Sequence, residues 1–146
     1  MPKRFTIQEA ERLLPEIKST MKLAVELRTA FQDAEVQFHS ATQRIAMAGG
    51  SLVNRESLLA LRSRRDATAQ RLKEAIEEVQ QRGCLVKDLD MGLLDFPTLF
   101  RGVEVYLCWK LGEDGIHFWH GVEEGYRGRK PIDQEFLDNH RGDYQH

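Results

Sequence analysis

The chain has 146 residues, 41% of them hydrophobic and 30% charged, with a formal net charge of −2. That length favours one domain with its own core, and that composition is ordinary for a soluble globular protein rich in solvated helix. The near-neutral balance offers no overall attraction to a phosphate backbone or an anionic membrane, and two cysteines are too few for a disulfide framework.

Charge is only mildly lopsided along the chain. Residues 1–82 carry 14 Lys/Arg against 11 Asp/Glu, and residues 83–146 carry 7 against 12. No apolar run approaches the roughly 18 residues of a membrane-spanning helix, and the start MPKRFTIQEAERLLPEI turns acidic where a secretory signal would be apolar. The expectation is a cytoplasmic protein with reduced thiols.

The first element announces itself by Thr6 and, three residues later, Glu9, a capping-box pair with Phe5 placed as a hydrophobic staple. Pro15 cannot donate to the preceding turn, so the pattern predicts a short helix over about 7–14 and then a long one. From Ile17 a seven-residue spacing follows: Ile17, Ala24, Phe31, Phe38 and Ile45 form one row, and Thr20, Leu27, Ala34, Ala41 and Ala48 a second. Large residues beside small ones make a narrow coiled-coil seam for another helix. AGGSLVN at 48–54 breaks the pattern, Asn54 can cap a second helix carrying Leu58, Leu61, Leu72, Ala75, Ile76 and Val79, and Gly83 is placed to stop it. Residues 1–83 thus read as an antiparallel helical hairpin.

Such a hairpin is longer than the remaining chain can cover, which leads to the expectation of a homodimer with hairpins pooled into a four-helix arrangement. Arg62, Arg64, Arg65 and Arg71 lie on the second helix, but Glu56, Asp66 and Glu74 dilute them and no aromatic is interleaved, so nucleic-acid binding is not expected.

After Gly83 the texture changes to strands at 84–89, 92–96, 103–111 and 116–122, with turns at 100–102 and 112–115: a three- to four-stranded antiparallel sheet over 84–122. Residues 123–146 form a tail with a brief helix near 133–139. Alternation puts Val103, Val105, Leu107 and Trp109 on one face, and Ile116, Phe118 and His120 on the face toward the helices. The fold class is α+β, a long helical hairpin packed on a small antiparallel sheet within one domain, 1–146.

Chemistry has fewer handles. KDLDMGLLDF at 87–96 resembles the start of a calcium loop, but its glycine falls at the fifth loop position and Leu99 stands where a bidentate glutamate belongs. His117 and His120 are three apart, which puts them on opposite faces of a strand. Neither Cys84 nor Cys108 sits at a helix N-terminus that would stabilise a thiolate. No P-loop, dinucleotide fingerprint or nucleophile elbow is present, so the sequence assigns no reaction. The remaining candidate pools strand-end groups: Asp88, Asp90 and Asp95 with Glu113, His120, Arg127 and Arg129. Of these, Asp88, Asp90, Glu113 and His120 are the candidate ligands of a divalent metal, and the arginines candidates for an anionic substrate. The bland reading of the same residues is acidic turns and surface ion pairs. Two function classes therefore stand: a binding or interaction protein that self-associates through its hairpin, or a metal-binding protein or enzyme using the Asp/Glu/His cluster.

FTIQEAERLLPEI, GCLVKDLDMGLLDFP and VYLCWKLGEDGIHFWHGVEEGYRGRKPI together resemble the blocks of a bacterial family, domain of unknown function 2203. The resemblance implies a soluble bacterial protein and brings no activity, substrate or catalytic residue with it. It marks the surroundings of Asp88, Asp90, Gly92, Asp95, Trp109, Glu113, Trp119, His120, Gly125 and Arg129 as places to test. The family pattern has Trp-His preceded by a variable residue where His117 stands, which turns attention to His120.

Overall fold

The computed structural model describes residues 3–47 and 55–143. The expected glycine break over 48–54 and the Asn54 cap lie outside them. In chain order the elements are α1 (Ile7–Met47), α2 (Arg55–Gln81), β1 (Leu85–Asp88), β2 (Leu93–Phe100), β3 (Val103–Lys110), β4 (Phe118–Gly121), β5 (Lys130–Pro131), α3 (Gln134–Asn139) and β6 (His140–Arg141). A single 3-10 turn, Tyr126–Gly128, separates β4 from β5.

The capping box closes as its residue types dictate. The Thr6 N–H donates to Glu9 Oε1 at 2.9 Å and the Glu9 N–H to Thr6 Oγ1 at 3.1 Å. The expected break at Pro15 does not occur: α1 runs through it for 41 residues, about 60 Å at 1.5 Å per residue. Pro15 and Glu11, whose carbonyl it leaves without a partner, both lie on the exposed side, where water can solvate that oxygen. Leu14 and Ile17, flanking the proline, are buried against the sheet, and this packing holds the helix continuous.

The helices α1 and α2 pack together along part of the expected rows, with the small members inside. Ala24, Leu27, Ala34 and Ala41 are buried, whereas Phe31, Phe38 and Ile45 are half-buried at the margins. On α2 only Ala75 and Val79 are buried, and Gly83, at φ +96°, turns the chain out of the helix.

The sheet is antiparallel in the order β1-β2-β3-β4-β5, with β6 pairing the far end of β2. It exceeds the expected three or four strands because the tail supplies β5 and β6. Strand β2 also runs on through Pro97, past the expected end at Phe96. β1 pairs only Leu93–Asp95 and β6 only Leu99–Phe100, so no ladder bond demands a proline N–H, and the Pro97 carbonyl accepts from Phe5 N at 2.7 Å. The inner face, Leu94, Phe96, Val105, Leu107 and Trp109, packs on Ala10, Leu14, Ile17 and Met21 of α1. Fully burying rings such as those of Phe96 and Trp109 is worth about 2–3 kcal/mol each.

The parity expected for β4 is reversed. Ile116 is buried in the core but precedes the strand, so it does not set the strand's phase. Register pairs Leu107 with Trp119 and Tyr106 with His120, which turns Trp119 toward the helices and His120 to the opposite, outer face. Val103, placed by alternation on the inner face, lies beyond the helices and is exposed.

Candidate functional site

On the outer face, register alone brings three polar residues together. Asp95 of β2 stands opposite Cys108 of β3, and His120 of β4 stands opposite Tyr106, one pair along. The segment after β4, carrying Val122, Gly125 and Tyr126, folds over them and leaves a cleft of about 110 Å³ with these three side chains on its floor. Asp95 is 1% and His120 3% exposed. One ligand atom from each of Asp95, Cys108 and His120 lies within 4.8 Å of the other two.

The hydrogen bonds fix the imidazole. His120 Nδ1 is 2.7 Å from the Gly121 carbonyl, which can only accept, so Nδ1 carries a hydrogen. Nε2 faces both oxygens of Asp95, at 3.0 and 3.1 Å, so one further proton is shared between Nε2 and the carboxyl group. Burial pushes the Asp95 carboxyl above the usual carboxylate range, opposed by the attraction of His120 and, more weakly, of Lys87. Burial also pushes the Cys108 thiol up to about 11, with the Asp95 charge adding to the rise and Arg129 opposing it. The site therefore holds a thiol beside a proton-sharing Asp–His pair, with one ligand atom of each residue within 4.8 Å of the other two.

A second layer surrounds the floor. Arg129 forks onto Glu113, at 3.2 and 2.8 Å, and its guanidinium stacks on the rings of Phe118 and Tyr126 at 4.0 and 4.4 Å. Glu113 also accepts from the Lys110 N–H at 2.8 Å and gives its carbonyl to Trp109 Nε1, which closes the β3–β4 turn. Tyr106 meets the His120 ring edge-on at 5.6 Å.

The seven residues singled out by sequence divide three ways. Asp95 and His120 meet, and Glu113 and Arg129 form the neighbouring pair. Asp88 instead turns its own loop, Oδ1 accepting from the N–H groups of Asp90 and Met91 at 2.8 and 3.1 Å, with Gly92 at φ +69° completing the turn. Asp90 reaches away to Arg28 of α1 at 2.7 Å, and Arg127 is exposed. The metal set Asp88, Asp90, Glu113 and His120 is thus not assembled; each member has a different partner. His117 pairs with Asp114 at 2.8 Å, remote in direction from His120. On α2, Arg62 and Arg65 pair with Asp66, and Arg65 also with Glu35.

Cys108 was missed because a mid-strand cysteine reads as a small hydrophobe. The available signal was cross-strand register: once the turn at Arg101–Gly102 is fixed, Asp95 and Cys108 fall opposite one another.

An α+β protein with a long helical hairpin on one face of an antiparallel sheet, and a buried Asp/Cys/His floor on the other, is the class these features define. The chain belongs to the family described as uncharacterized conserved protein, DUF2203, whose model matches residues 3–132. That span takes in the hairpin, β1 to β5 and every residue of the cleft. Comparison with curated proteins and with solved structures gives no match. No described helix is long and apolar enough to cross a membrane.

Proposed function

We propose that this protein binds a divalent transition metal, zinc by preference, through Asp95, Cys108 and His120. The observation that carries the reading is the convergence of a carboxylate oxygen, a cysteine sulfur and an imidazole nitrogen within 4.8 Å on a buried floor beneath a small cleft. One sulfur, one nitrogen and one oxygen suit borderline cations over magnesium or calcium, which prefer all-oxygen shells. The Gly121 carbonyl holding Nδ1–H is the outer partner that a metal-ligating histidine ordinarily has, and it leaves Nε2 as the nitrogen that binds once the proton shared with Asp95 is displaced. Three protein ligands leave a fourth position facing the cleft, as in sites that bind or process a ligand.

Binding replaces the proton shared by Asp95 and His120 and the proton of the Cys108 thiol, so affinity falls as pH is lowered. A thiolate ligand and two free cysteines fit the reducing cytoplasm of a bacterium. The test is the melting temperature of protein purified without a polyhistidine tag, with zinc, manganese, magnesium or calcium added. Zinc is expected to raise it by mass action, and magnesium and calcium to leave it unchanged. No zinc response, or an equal one in Cys108→Ala, defeats the proposal.

A second reading concerns the hairpin. Phe31, Phe38, Ile45, Leu58 and Leu61 are half-buried, and a groove of about 370 Å³ lies along Phe31, Leu72 and Ile76. A second copy's hairpin, carrying the same stripe, is the occupant we propose, giving a homodimer. With its helix arginines paired or diluted by carboxylates, the protein is expected to leave DNA unbound at physiological salt. Light scattering after size exclusion should give a dimer at micromolar concentration; a monomer contradicts it.

A further inference from the structure

We infer that the cleft takes a small carboxylate anion, one oxygen completing the metal's coordination and the other held by Lys87. The inference rests on the metal reading above and adds the ligand class. Lys87 is the residue that β1 leaves out of register: Leu85 pairs Asp95, Val86 pairs Leu94 and Asp88 pairs Leu93, so Lys87 is the bulged residue with no partner across the ladder. Bulges re-aim a side chain, and they recur beside functional sites. Here the bulge carries the ammonium over the Tyr106 ring, 4.7 Å from its centre, onto the rim of the cleft above Asp95, Cys108 and His120. Among the described residues no carboxylate forms an ion pair with it, whereas Arg129 is spent on Glu113 and Lys130 on Glu124.

Charge then selects the ligand. A divalent cation with one carboxylate, one thiolate and a neutral imidazole is neutral overall, and the Glu113–Arg129 pair is neutral as well. Lys87, joined by Lys110 over the Tyr126 ring at 5.6 Å and likewise outside any ion pair among the described residues, leaves the cleft positively charged, which suits an anion. Volume selects the size, because about 110 Å³ accommodates an acetate-sized group and no nucleotide. Tyr126 lines the same space, and its hydroxyl has no hydrogen-bond partner among the described residues.

The experiment uses the full chain loaded with cobalt(II) in place of zinc. The sulfur-to-cobalt charge-transfer band reports Cys108 ligation, and the ligand-field bands report the open position. Acetate is expected to shift the ligand-field bands saturably, and acetamide, of the same size but uncharged, to leave them alone. Lys87→Gln should retain the charge-transfer band and weaken acetate about tenfold, the size expected of one partly screened charge at contact distance. If cobalt binds and acetate moves nothing, or if acetamide acts equally, the anion inference is overturned while the metal reading stands. Equal acetate affinity in Lys87→Gln overturns the role of the bulge. Absence of the charge-transfer band overturns the metal reading, and the anion inference with it.

Discussion

At the scale of single residues, the buried pair Asp95–His120 separates two kinds of polar group that look alike in sequence. Truncating the imidazole strands a carboxyl group that is 1% exposed, so His120→Ala should cost about 3–5 kcal/mol in metal-free urea unfolding. Asp95→Asn should cost only about 1 kcal/mol, because Nδ1–H stays on Gly121 and the Nε2 lone pair can accept from the new amide. Equal losses in the two variants would show that the pair is not arranged in this way. Asp88 and Asp90 were equally prominent in KDLDMGLLDF, yet one closes its own turn and the other meets Arg28 at the surface. Counting positions removed the calcium loop from that stretch, and cross-strand register, which no spacing rule reads directly, picked Asp95 out of the three aspartates. Cys84 supplies a pH prediction clear of the site. Burial raises its thiol from 9.0 to about 12, so burial favours the folded state fully below pH 9 and loses that advantage as pH climbs through the folded value. Wild type should lose up to about 4 kcal/mol more than Cys84→Ala between pH 9 and 12, and parallel profiles would refute it.

At the scale of elements, what was legible followed local rules and what was not depended on packing. The Thr6–Glu9 capping box and the Gly83 stop are properties of neighbouring residues, and each forms as read, whereas Phe31, Phe38 and Ile45 of the seven-residue rows stay at the margins of the helix pair. The break at Pro15 was a sound local inference overruled by tertiary contacts of Leu14 and Ile17 with the sheet. The proline remains a local cost, so Pro15→Ala should stabilise the protein by about 1–3 kcal/mol, measured as an upward shift of the urea midpoint with unchanged slope. A destabilised variant would mean that the proline shapes the helix in a way its exposure conceals. β5 and β6 were illegible because two-residue strands carry no alternation to read. The phase of β4 was misread because Ile116 was counted within the strand, and that one-residue question decides whether His120 faces the helices or the cleft.

At the scale of the whole molecule, the two faces of the sheet have divided the work. The inner face packs Leu94, Phe96, Leu107 and Trp109 against the hairpin. Strands β2, β3 and β4 set Asp95, Cys108 and His120 side by side on the outer face, and the segment through Tyr126 folds over them to leave a small cleft. The central claim is that this floor is a metal site. It is tested most directly by dialysing the tag-free protein to equilibrium against buffered zinc and measuring zinc per chain by elemental analysis. The account predicts one equivalent in wild type and in Asp90→Asn, and none in Cys108→Ala or in Asp95→Asn, whose fold is expected to survive. A wild type without zinc, or a Cys108→Ala variant that retains its equivalent, would contradict it.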